Sequence, residues 1–211
     1  MKYTDLAARF RYRPFFEARE LDIVYNEPYA QIRFRLSRWV KLGKLIQIRR
    51  GYYLLPPAER AVEPSIYTIS NYLYNPSYVS LNSALEYYNI IPEQVMRIEA
   101  VSPKQTASWV APLGNFRYFS IKTDAFRGYH YLESETHLKD QQAFFMATAE
   151  KALLDLFHFL PGEWTEERIL EMRFQQTEQI NRKQLLEATR WFHAPRIKRA
   201  TRNFFRVTEL E

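Results

Sequence analysis

Four side chains at helical spacing, Gln31, Phe34, Arg38 and Lys41, carry the most distinctive chemistry of the chain. At about 100° per residue they fall on one side of a helix. Arginine and glutamine present paired groups that match the edges of guanine and adenine, and an outward phenylalanine suits a thymine methyl or a sugar. Arg33, Arg35 and Ser37 lie at the margins of that face, and Arg49 and Arg50 follow further along. These five suit phosphate contacts, which set the register of a protein on a duplex without choosing bases. Catalytic chemistry has weaker support. The five glycines form neither a P-loop nor a dinucleotide fingerprint, and no Gly-x-Ser-x-Gly elbow is present. Absence of cysteine removes thiolate nucleophiles, disulfides and the usual structural zinc sites. The histidines at 130, 137, 158 and 193 make no H-x-x-x-H pair, and His158 reads as an ordinary residue at a core boundary. Glu150 and Asp155 diverge by about 140° around a helix and so cannot hold one ion together. Glu133 and Glu135 share one strand face if that segment is extended, with no lysine beside them to complete a nuclease-like set. The expectation is no enzyme, no metal and no cofactor.

The elements that must position the donor face follow from periodicity. Leu6, Ala7 and Phe10 predict a short first helix ended by the Tyr12-Arg13-Pro14 step. Phe16, Leu21 and Val24 predict a second helix over residues 15–24. Asn26 is the expected N-cap of a third, with Glu27 and Pro28 in its first turn. That helix runs to Leu42 and stops at Gly43, with Tyr29, Ile32, Leu36, Trp39 and Val40 as its core stripe. Residues 45–49 then alternate at the strand period, Arg50-Gly51 is a turn, residues 52–55 return as the partner strand, and Pro56-Pro57 closes the unit. Helix, helix, basic helix and a hairpin with a basic tip are the parts of a winged helix-turn-helix, in that order, over residues 1–58.

Residues 65–211 predict a mixed α+β domain with terminal helices, making the fold class α+β. A helix is expected over residues 66–75 and a short one near 82–88, with Ser80 and the Ser83/Glu86 capping box as competing starts. Strands are expected at 97–101, 108–110, 116–122 and 144–147. Thr148 should cap a helix whose core stripe is Ala149, Ala152, Leu153, Leu156 and Leu160, and amphipathic helices should begin at Thr165 and Asn181. The tail holds five Lys/Arg from Arg196 to Arg206 and no acid. It is expected to face solvent or to form a self-association helix.

Charge separates along the same lines. The overall +6 divides into +7 over residues 1–60, −5 over 61–189 and +4 over 190–211. A basic head on an acidic body is the pattern of one domain that meets a polyanion and one that does not. At 46% hydrophobic residues the chain is apolar enough to fold. There is no apolar run long enough for a membrane span and none of a secretory type at the start, so the expected location is the cytoplasm.

Four stretches in series add a family resemblance: RRGYYLL (49–55), YVSLNSALEYYNI (78–90), GNFRYFSIK (114–122) and TAEKALLDL (148–156). Together they resemble the AbiEi family of bacterial antitoxins over roughly residues 15–160. The resemblance implies a winged-helix DNA-binding domain joined to a C-terminal α+β antitoxin domain. It also implies a repressor of its own operon in a type IV toxin–antitoxin pair, whose partner gene encodes a nucleotidyltransferase-like toxin without a stable complex between the two. A homodimer on operator DNA is expected from the twofold symmetry of operators. The alternative is a winged helix that docks a protein and does not read DNA, with exposed Phe34 as a dimer or interdomain contact.

Overall fold

The computed structural model describes residues 1–133 and 142–209. Glu135 and His137, weighed above, lie outside the described residues. The fold is mixed α+β, and its larger sheet combines parallel and antiparallel pairs. The chain divides into two compact units. One holds Met1–Ile69, with Val110–Gly114, Glu133, Gln142 and Ala143, and the other holds the remaining described residues.

The first unit begins with α1 (Tyr3–Phe10), which buries Leu6 and Phe10 as the spacing requires. The expected second helix is only half present: Phe16–Glu17 is strand β1, and α2 covers Glu20–Tyr25. The local helical spacing loses to a long-range pairing. β1 runs antiparallel to β3 (Tyr52–Leu54), with Phe16 opposite Tyr53, and the rings of Phe16 and Tyr53 stack at 6.0 Å. Cross-strand aromatic pairs of this kind stabilise strands beyond intrinsic propensity. Asn26 is also displaced from its expected role. Its backbone is left-handed (φ 49°), so it closes α2, and Pro28 occupies the N-cap of the next helix without a side-chain cap.

Helix α3 (Tyr29–Lys41) buries Ile32, Leu36 and Trp39 and half-buries Val40. Tyr29, expected in that stripe, is 37% exposed and lines the groove beside the hairpin. At the other end Gly43 is left-handed (φ 69°) and donates to the Val40 carbonyl at 3.0 Å, while Lys44 donates to Trp39 at 2.9 Å. This is the Schellman ending that a glycine after the last turn makes cheap. Strand β2 (Ile46–Arg49) then pairs with β3, giving the order β1-β3-β2. The pairing shifts register between Gln47 and Arg49, and within this strand Ile48 is buried and Arg49 exposed. The hydrophobic cluster of this unit joins Leu6, Phe10, Phe16, Leu21, Leu36 and Trp39, among others.

The second unit contains most of a six-stranded sheet of order β6-β7-β5-β4-β9-β8. In chain order the strands are β4 (Tyr78–Val79), β5 (Arg97–Ser102), β6 (Ala107–Ala111), β7 (Gly114–Ser120), β8 (Tyr129–Glu133) and β9 (Ala143–Ala147). Helices α4 (Ile66–Leu73) and α5 (Leu81–Tyr87) flank β4 in sequence. Ser80 occupies the N-cap of α5 as expected, but its side chain makes no cap hydrogen bond, and the competing start at Ser83 lies inside the helix. The Ser80 hydroxyl donates to Asp155 at 2.7 Å, and Ser83 donates to the Arg97 carbonyl and accepts from the Glu99 amide. The caps at Thr148, Thr165 and Asn181 do form, on α6 (Ala149–Phe159), α7 (Glu166–Glu171) and α8 (Arg182–Ala188).

Helix α6 is buried on all sides over Glu150–Phe157, not along one stripe, because α5, α8 and α9 (Pro195–Thr208) all pack on it. Its polar residues therefore need internal partners. Lys151 pairs with Asp155, which also accepts from Tyr78 at 3.1 Å and from Ser80. Burial lowers the Lys151 pKa, opposed by Asp155, and burial beside that carboxylate raises the Tyr78 phenol well above its usual range. On α9, Ile197, Ala200 and Phe204 are buried, so the apolar edge of the tail is occupied within its own unit. Its Arg199 and Arg206 pair with Glu163 and Glu166.

Candidate nucleic-acid interface

Helix α3 is held from behind by Ile32, Leu36 and Trp39, which fixes what it presents in front. Counting about 100° per residue from Tyr29, those three cluster near 300°, whereas Lys41, Phe34, Arg38 and Gln31 span about 120° to 200°. All four of these are exposed, Phe34 at 73%. The expected donor face is thus assembled on one rigid surface. Between core and front, on the opposite sides of the helix, lie two distinct margins.

Arg33 and Ser37, at about 40° and 80°, are exposed on the margin toward the hairpin. Arg35, at about 240°, lies on the other margin and is engaged there. It donates to the Met1 carbonyl at 2.6 Å and pairs with Glu27 at 3.0 Å. Glu27 also accepts from the Met1 ammonium, and that hydrogen bond, followed by Arg35, holds its carboxyl below the usual value. Arg35 is therefore set apart from the other expected phosphate contacts. Arg49 and Arg50 are exposed at the hairpin tip, where Gly51 takes φ 91°. No carboxylate pairs with Arg33, Arg38, Lys41 or Arg50 among the described residues.

Between the Arg33 margin and the hairpin lies a groove of about 560 Å³, whose lining includes Arg19, Tyr29, Arg33, Gln47, Arg50 and Tyr52. Periodicity missed Arg19 and Tyr29 as members of this surface. The expected second helix over residues 15–24 would hold Arg19 within it, whereas the β1–β3 pairing carries it to the hairpin. The Ala18 amide donates to the Gly51 carbonyl at 2.8 Å, which sets the next residue beside the turn.

Three of the residues considered for catalysis, Glu150, Asp155 and His158, have other surroundings. Glu150 accepts from the Asn181 amide at 2.8 Å, and Asp155 belongs to the buried lysine pair. His158 is half-buried against Phe159 and Phe192, and burial lowers its pKa. Among the described residues no group of three or more His, Asp or Glu could hold a metal ion, and no helix is long and apolar enough to cross a membrane. Neither the protein-family models nor the curated proteins contain a match to this chain.

Proposed function

We propose that residues 1–58 are a winged helix-turn-helix that binds double-stranded DNA, and that the protein is a cytoplasmic transcriptional repressor. The carrying observation is the front of α3. A face of Gln31, Arg38 and Lys41, stiffened from behind by buried Ile32, Leu36 and Trp39, has no carboxylate paired with its cations among the described residues and stands beside a basic hairpin. Donors that need no reorganisation fit a major groove, which is wide enough to admit one helix. Gln31, Phe34, Arg38 and Lys41 are assigned to bases. Arg33, Ser37, Arg49 and Arg50 are assigned to the backbone, while Arg35 keeps its bond to Glu27. The resemblance to AbiEi antitoxins extends this to autoregulation of an operon, as a homodimer, and to opposing a nucleotidyltransferase-like toxin without a stable complex.

The test is a gel-shift series on the DNA upstream of the protein's own gene. Arg38→Ala should relax base preference, and Arg50→Ala should weaken all sequences alike. Full binding by an Arg38→Ala/Lys41→Ala variant would overturn the assignment of α3. Phe34 favours a second reading, a protein-docking winged helix, because a large exposed aromatic in the middle of a face is typical of protein contacts. Under that reading the protein binds no duplex at low salt.

A further inference from the structure

We propose that the groove between α3 and the β2–β3 hairpin seats the sugar-phosphate backbone of one DNA strand, with Arg19, Arg33 and Arg50 as its cations. The inference rests on the reading of α3 as the DNA-facing helix. It adds where one strand lies and names a residue outside helix and hairpin that holds it.

Cations stand on both walls of this groove. Arg33 comes from the margin of α3, and Arg19 and Arg50 come from the other side, brought together because the Ala18 amide is bonded to the Gly51 carbonyl. None of the three has a carboxylate partner among the described residues. Glu17 is the single acid in the lining, so the groove is net positive. Three arginines against one glutamate in the same lining leave an excess of positive charge that an anion would offset, and forked guanidinium donors match phosphate oxygens. Arginines on opposite walls suit a chain of phosphates better than one compact anion.

The remaining lining agrees with a strand. Tyr29 and Tyr52 offer ring surface for sugars, and Ser37 and Gln47 supply further polar contacts. A small-molecule pocket would be mainly apolar with a few polar anchors, whereas this groove exposes polar and apolar surface in about equal measure and holds three arginines. Gly51 adds clearance, since a Cβ there would meet nothing within 4 Å. Arg33 and Ser37 neighbour Phe34 and Lys41 around the helix, so a strand in the groove continues onto the base-reading face and fixes its register.

The experiment is a fluorescence-anisotropy titration of a labelled duplex of about 20 base pairs, at several salt concentrations. It compares wild type, Arg19→Ala, Arg19→Lys and Arg9→Ala. Arg9 is exposed on α1, outside the groove, so its removal takes away the same charge at a different place. Each phosphate contact contributes about 0.9 to the slope of log K against log salt, which at 0.1 M amounts to about eight-fold in affinity. Arg19→Ala should lose about that factor on operator and unrelated duplex alike, with the slope reduced by about 0.9. Arg19→Lys should recover most of the loss, and Arg9→Ala should change little. Matching melting curves for all variants would exclude a folding effect. If Arg38→Ala impairs binding but Arg19→Ala behaves like Arg9→Ala, the groove assignment is wrong and the reading of α3 survives. If wild type binds no duplex, the reading of α3 fails and the groove proposal with it.

Discussion

Removing Arg33 and Arg50 together separates phosphate binding from base reading. Both are exposed, neither is paired with a carboxylate among the described residues, and they come from the α3 margin and the hairpin tip. Arg33→Ala places a strong helix former on an exposed helix position, so the helix itself should not suffer. Two lost phosphate contacts reduce the salt slope by about 1.8, and at 0.1 M the affinity should fall about 60-fold. The preference for operator over scrambled duplex should stay constant, because backbone contacts carry no sequence information. Arg38→Ala should do the reverse, narrowing the preference by roughly 1–3 kcal/mol while leaving more of the slope in place. The assay is anisotropy on both duplexes over about 50–200 mM salt. An unchanged slope in the Arg33→Ala/Arg50→Ala protein, or a loss of preference instead of overall affinity, would refute the division of labour.

Three further predictions concern the scaffold. Lys151→Met should destabilise the protein by about 3–5 kcal/mol in urea unfolding, because Asp155 is left as a buried charge with only Tyr78 and Ser80 to satisfy it. Adding Asp155→Asn should recover part of the loss, and a double variant less stable than the single one would contradict this. Burial lowers the His158 pKa below the ordinary 6.5, so the unfolded chain binds more protons in the interval between the two values. Stability should therefore rise with pH across that interval, and the contribution of His158 should level off on either side of it. His158→Gln should flatten the difference between urea midpoints at about pH 5.5 and about pH 7.5. Gly43→Ala should cost about 1 kcal/mol, read as a lower thermal midpoint, since a Cβ there has open space and only the left-handed backbone is strained.

What the sequence revealed of this site was local. The stripe of Ile32, Leu36 and Trp39 and the glycine that ends α3 are signals within one helix, and they place the front face correctly. Strand β1 is two residues long, and its partner Tyr53 lies far along the chain, so nothing near Phe16 announces the pairing. That pairing carries Arg19 to the hairpin, which is why the groove was not visible from periodicity. Asn26 was ambiguous for a physical reason, since asparagine serves both as an N-cap and as a left-handed helix end. Arg35 carried no mark in its own neighbourhood that would distinguish it from Arg33, and only the fold brings Met1 and Glu27 to it. In the second unit, Lys151 and Asp155 stand four residues apart as a pair on a surface helix would. Their burial follows from helices packed on α6, a long-range fact.

In the proposed function, duplex DNA meets the front of α3 and the adjoining hairpin. A backbone-amide NMR titration of the full chain with a short duplex measures this most directly. The largest shifts are predicted at residues 29–41 and 46–54, fading as salt is raised. A titration that leaves those amides in place, while amides of the second unit move, would contradict the claim.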